Sequence, residues 1–372
     1  MELVNACRAV LEPEKGRGLD TSDAYFEKSL ARGADLVEDV EERFSAEAFV
    51  QYLLYEGSKV PCDETSDTFN NNFKLPPFYN DKLFRRGQKF FHKNMFGLFL
   101  GKFLGLVLLL TLPSVDILFM TNMSSTDVSA YKRYMATVFH MCLWYDEEFV
   151  PGSRSWNSIS TVRRLHNSAS KRGCLYINRR ITQSSMALTQ FGFMGLILTR
   201  GEMLGLHHVS EEELKGFIHL WRNVGYVMGI EDRFNICRES VKETKEICNL
   251  LIEKVFKETL RKPSEYFPKL STALVNGMWV VNPILDYKVF LLYLKMVVEN
   301  DRDVRGSPDF ERLSSGSKLK LWYIVYTVWA LRFTVVRVIH NGIQALTLWM
   351  MTNFPFLAYY KFGKGNSLVQ VE

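Results

Sequence analysis

From Lys82 onward the apolar residues return every three or four positions rather than every two, so most of the chain reads as helix. No alternating strand ladder and no repeat of fixed period interrupts that pattern. The expectation is an all-α fold: one large helical domain over 71–312, followed by apolar helices over 313–372. Residues 1–70 differ in kind, with an acidic helical stretch from Asp35 to Glu47 running into the polar CDETSDTFNNN segment. They are expected to form an extension and linker. The packed core is then expected to start near Leu75-Pro76-Pro77-Phe78-Tyr79, where two prolines and Asn80-Asp81 set an ordered turn.

Two apolar stretches need separate treatment. Phe103 to Leu112 is uninterrupted but bounded by Lys102 and Pro113. It is too short for a hydrocarbon core of about 30 Å, so a buried helix is expected. Leu321 to Tyr360 is longer, rich in Trp and Tyr, and formally charged only at Arg332 and Arg337. Such a tail suits two arrangements: helices lying in a membrane surface, or a pair of buried helices closing the globule.

Composition narrows the classes only modestly. Hydrophobic residues make up 47% and aromatic ones 13%, including 27 Phe, enough to wall an apolar cavity or to build an ordinary Phe-rich core. The net charge of +5 falls short of a nucleic-acid-binding surface, and no nucleic-acid partner is expected. It suits an anionic membrane or cofactor without requiring either. The six cysteines show no CxxC pair or zinc-like spacing, so reduced thiols are expected. The opening MELVNACRAVLEPEKGRGLD lacks the apolar run of a signal peptide, and a cytosol-facing location follows as an expectation. P-loop, GxGxxG, GxSxG and HExxH patterns are absent.

The residues that can carry chemistry lie in three segments. In Ser155–Gly173, helical spacing puts Ile159, Val162, His166 and Ala169 on one face. A neutral imidazole there is a candidate axial ligand for iron, although a core histidine with a satisfied hydrogen bond is commoner. Arg163 and its neighbouring cations could receive haem propionates or form a solvated face. Upstream, Arg133 and Thr137 stack one turn apart beside a stripe of Tyr134, Val138 and Met141. By default Arg133 is a surface residue and Thr137 bonds its own backbone. Downstream, Trp221 and Arg222 precede a Gly225–Gly229 GxxxG that permits close approach of another helix or of a flat ligand, helix packing being the commoner case, and Asp232 to Asn235 signal a turn. His207 and His208 are adjacent and point apart, a poor metal pair, and Ser210 with Glu213 forms a capping box.

Five segments in order carry a resemblance: LPPFYNDKLFRRGQKFF (75–91), RYMAT (133–137), VRRLH (162–166), ITQSSMALTQFGF (181–193) and LWRNVGYVMGIEDRFN (220–235). Together they resemble the catalytic domain of the rubber oxygenase, or latex-clearing protein, family. That family includes an endoplasmic-reticulum-bound oxygenase that cleaves a prenyl side chain in mycophenolic acid synthesis. The resemblance covers roughly 75–300 and implies a helical fold with a haem b pocket between helices. It implies His166 as the iron ligand and Arg133 and Thr137 beside the haem as catalytic residues. Arg163 and Arg222 are the cofactor-binding cations expected with them. It further implies dioxygen-dependent cleavage of a C=C bond in an apolar, isoprenoid or lipid-like substrate, giving two carbonyl fragments. A membrane surface, that of the endoplasmic reticulum by the same likeness, is an expected partner. The rubber oxygenase has a lysine directly before the threonine; Ala136 stands there, so distal lysine ligation is not carried over. The competing expectation is a non-catalytic membrane-associated protein of the same fold, binding haem or lipid.

Overall fold

The computed structural model describes residues 44–64 and 74–371. The chain divides into Met1–Ser45 and Ala46–Glu372, and the second unit is the helical body. Most of the acidic Asp35–Glu47 stretch and much of the CDETSDTFNNN segment lie outside the described residues. Among the described residues there is no strand, only an isolated bridge between Pro61 and Thr182. The all-α expectation holds.

The body starts earlier than the expected boundary. Helix α1 (Ala46–Lys59) packs into it, with Val50 and Leu53 at zero exposure and Gly57 buried beside them. Positions 50, 53 and 57 follow helical spacing, a signal masked by the charge of the surrounding segment. The core helices follow: α2 (Asp81–Lys93), α3 (Met95–Leu109), α4 (Val115–Met120), α5 (Asp127–Asp146), α6 (Arg154–Ile177), α7 (Gln183–Thr199) and α8 (Glu211–Met228). Helix α9 (Val241–Leu251) continues through a π turn, Ile252–Phe256, and precedes α10 (Phe267–Met278) and α11 (Tyr287–Glu299).

Local chemistry explains where the site-bearing helices begin. The Asn80 side chain accepts from Leu83 N–H at 3.1 Å and starts α2. Thr126 and Ser129 form a capping box for α5, and Ser153 caps α6. Ser210 and Glu213 form the expected box at α8. Each such cap is worth about 1 kcal/mol. Burial does the rest. Helix α3 is the expected core helix, with Leu98, Leu104 and Leu108 fully buried, and it meets α7 where two glycines face each other. A Cβ at Gly105 would sit 1.8 Å from the Gly192 carbonyl oxygen, so the crossing depends on the missing side chain.

The GxxxG expectation is half correct. Gly225 lies against the Gln190 amide of α7, where a Cβ would come within 2.4 Å, so it does permit close packing. Gly229, with φ of 105°, is instead the left-handed residue that ends α8.

The tail forms α12 (Ser315–Ala330), α13 (Thr334–Asn353) and α14 (Phe356–Phe362). Of its two expected arrangements, the buried pair is not what forms. Met351 is the only buried residue of α13, while Val335, Ile339, Ile343, Leu346 and Trp349 are exposed. No single helix among the described residues is long and apolar enough to cross a membrane. Helices α12 and α13 reach that length and composition together, but are bent by 119°.

Candidate functional site

Helix α6 presents His166 as its spacing predicts, on the face shared with fully buried Ile159. The imidazole is half-buried, but its Nδ1 is completely enclosed and has no hydrogen-bond partner. Burial, and secondarily the charge of Arg133, pushes the His166 pKa down to about 4. The ring is therefore neutral near pH 7. A hydrogen bond from its second nitrogen, the usual support for a metal-bound histidine, is not made through Nδ1.

Arg133 reaches this region from α5, near enough for its charge to act on His166. It is not the surface residue of the default reading: desolvation pulls even its guanidinium pKa down. No carboxylate or hydrogen-bond partner offsets it among the described residues. Arg133 is half-buried, and its partial desolvation without a counter-ion is a cost that an anion at the site would offset. Its one-turn neighbour Thr137 donates to the Arg133 carbonyl at 3.1 Å, as a helical threonine commonly does.

Thr137 also lines an apolar cavity of about 130 Å³, together with Tyr134, Met141 and Phe193. Phe191, two residues away, stacks on Phe256 at 4.4 Å in the core. The volume is comparable to an engineered cavity of about 150 Å³ that binds benzene. It admits a short apolar segment and is far too small for a porphyrin.

The same cavity exposes a residue that sequence reading passed over. Lys102, taken as the polar edge of an apolar run, lies inside α3 and is only 4% exposed. Its Nζ donates to Tyr145 Oη at 2.6 Å, and Trp221 Nε1 donates to the same oxygen at 2.8 Å. The rings of Tyr145, Phe91 and Trp221 lie 4.1, 5.1 and 5.3 Å from the nitrogen. Burial drives its pKa well below the ordinary lysine value. The available signal was a single lysine embedded in MFGLFLGKFLGLVLL, where helical spacing gives it no solvent face.

Two expected cofactor-binding cations are engaged elsewhere. Arg163 is buried and donates from Nη1 to the Val227 carbonyl at 3.2 Å, beside Gly229, so it serves the C-terminal end of α8. Arg222 grips Asp232 through Nε at 3.1 Å and Nη2 at 2.9 Å, and stacks 4.0 Å over Phe78. The Asp232 turn was legible in the sequence; its pairing with Arg222 was not. Both arginines are thus engaged by groups of the protein itself.

The other histidines have separate roles. His140 Nδ1 is 2.8 Å from Ser158 Oγ, and His219 Nε2 accepts from Asn80 N–H at 3.0 Å. His207 Nε2 contacts the Val328 carbonyl at 3.0 Å. Among the described residues, no group of three or more His, Cys, Asp or Glu could hold a bare metal ion. A haem iron, held chiefly by its porphyrin, needs only one neutral imidazole on the proximal side. His166 with its orphaned nitrogen and the uncompensated Arg133 fit that requirement chemically.

No family model matches the chain, and no curated protein matches it in sequence. In three dimensions it is similar to a latex clearing protein in its closed state, with a TM-score of 0.50, covering 90% of this chain and 92% of that one. The two are 11% identical, so the likeness is one of fold. The chain is thus a distant fold relative of a latex clearing protein.

Proposed function

We propose that the chain is a haem-dependent oxygenase cleaving a C=C bond in an apolar, isoprenoid or lipid-like substrate, with dioxygen as co-substrate and His166 as the residue that would hold the iron of haem b. The observation that carries this reading is the pairing on facing helices of a neutral, unpartnered imidazole and a half-buried, uncompensated guanidinium. The helical fold and the ordered motifs support it.

When bound, the haem supplies dioxygen activation, which no side chain provides. His166 is held neutral and ready to ligate. Arg133 contributes a fixed positive charge for a propionate or for negative charge developing on the reacting partner. Thr137 retains hydroxyl lone pairs at the cavity wall while its proton is bonded to the Arg133 carbonyl. The apolar lining excludes water and holds the substrate chain in line. The proposal puts the protein on the cytosolic face of a membrane, that of the endoplasmic reticulum on the analogy of the prenyl-cleaving oxygenase.

The test is haem retention. Purified from haem-supplemented expression, the wild type should show a Soret band and His166→Ala should lose most of it. His140→Ala, His207→Ala and His208→Ala should keep it. Arg133→Ala should lower oxygen uptake with isoprenoid substrates while the fold persists. A colourless wild type, or full haem content in His166→Ala, would overturn the assignment.

A further inference from the structure

Helix α13 is amphipathic in the wrong sense for a protein surrounded by water. Its outward stripe is Val335, Val338, Ile339, Ile343, Leu346 and Trp349, with Val335 71% and Trp349 57% exposed. Its inward stripe carries the polar groups. Asn341 donates to the Lys93 carbonyl at 2.9 Å and accepts from Phe96 N–H at 3.0 Å, pinning α13 across the α2–α3 junction. His340 packs edge-on against Phe96 at 5.1 Å. The outward character continues on both flanks, through Tyr326, Phe333, Phe356 and Tyr360. Apolar patches of this extent mark a contact surface.

Charge indicates what covers it. From Arg312 to Val371 the chain carries seven Lys or Arg and no Asp or Glu. Lys318, Lys320 and Lys361 pair with carboxylates of the body, whereas Arg332 and Arg337, at the bend between α12 and α13, form no ion pair among the described residues. An apolar stripe with Trp and Tyr at its margins and basic residues beside it matches the interface of an anionic bilayer. The 119° bend argues for helices lying in that interface rather than crossing it.

The inward stripe connects this surface to the apolar cavity. Gln344 and Leu348, one turn apart on α13, form part of the wall of the cavity that holds Thr137 and Phe193. One helix therefore separates the apolar face from the cavity. We propose that the outward face of α12–α14 lies in the interface of an anionic bilayer, and that the cavity draws its apolar chain from that bilayer past α13. The identity of the chain as a substrate rests on the oxygenase reading; contact with the membrane does not.

The experiment uses the full-length chain in vesicle flotation, with phosphatidylcholine alone and with added phosphatidylserine. The wild type should float, more strongly with the anionic lipid. Ile343→Glu combined with Leu346→Glu should weaken binding about tenfold or more, since two apolar side chains lose their burial in lipid. Circular dichroism and elution volume should stay unchanged, because both positions face away from the body. A wild type that stays unfloated with either lipid, or a double variant that floats as well as wild type, overturns the proposal. So does a stable dimer that the double variant converts to monomer without vesicle binding, because a second copy would then cover the face. A second variant, Leu348→Trp, addresses supply: it should float normally but carry away severalfold less squalene from squalene-doped vesicles. Equal squalene uptake overturns the bilayer route. Haem content read on the same samples keeps the two ideas apart, since a colourless protein that floats and takes up squalene defeats only the oxygenase reading.

Discussion

Helices α3 and α13 look alike as strings of letters and behave as opposites in the folded chain. Both are rich in Leu, Phe, Val or Ile and poor in charge. Helix α3 is enclosed on nearly every side, to the point of burying Lys102. Helix α13 turns its apolar stripe outward and its Asn, Gln and His inward. Apolar content measures how strongly a segment avoids water; it does not say what replaces the water. For α3 the replacement is α7, at a glycine–glycine crossing. For α13 only one side is satisfied by the body.

The largest expected effect lies at that crossing. Gly105→Leu should prevent folding or leave a loosely packed state, because its first side-chain carbon would meet the Gly192 backbone at 1.8 Å. Gly342→Ala on α13 meets nothing within 4 Å and should be neutral or stabilising by up to about 1 kcal/mol. Thermal unfolding in detergent-free buffer measures both. Similar losses would mean that α13 is packed as tightly as α3, and the contrast would be gone.

Truncating side chains should give a smaller contrast. Leu98→Ala on α3 should cost about 2–5 kcal/mol, as a fully buried leucine does. Leu346→Ala, at a residue 56% exposed, should stay within about 0.5 kcal/mol in urea titrations without lipid. A large loss at Leu346 would show a protein partner already seated on the tail.

The smallest effect is expected from acid. His166 is held at about 4 against an ordinary 6.5, so the folded cofactor-free body binds fewer protons than the unfolded chain between those values. Its contribution to stability therefore declines as pH falls from about 6.5 to 4 and levels off below. His166→Leu should flatten part of that limb, and Leu346→Glu should leave it where it was. Urea midpoints across this pH range would show it, and an unchanged limb in His166→Leu would place the acid sensitivity elsewhere.

Much of the local structure was legible in the chain. Helical spacing, the Ser210–Glu213 box, the prolines before α2 and the inward position of His166 all depend on residues close in sequence, which is where caps and periodicity act. The α1 boundary was misread although its spacing was present, because charge at neighbouring positions outweighed three apolar ones. The contacts of Arg163 and Arg222 were not legible for a different reason. Their partners, the α8 carbonyl at Val227 and the Asp232 carboxylate, are positioned by how α6, α8 and the following turn meet.

By itself, then, the sequence determined a helical chain, its principal caps, an inward histidine and an apolar tail, since each follows from the period and chemistry of contiguous residues. Only the tertiary structure decided that Arg133 stands uncompensated near His166 and that Lys102 shares a cavity with Thr137. It also decided that α13 faces outward with its apolar side. Those are relations between helices distant along the chain, set by which surfaces exclude water from one another, and no local periodicity encodes them.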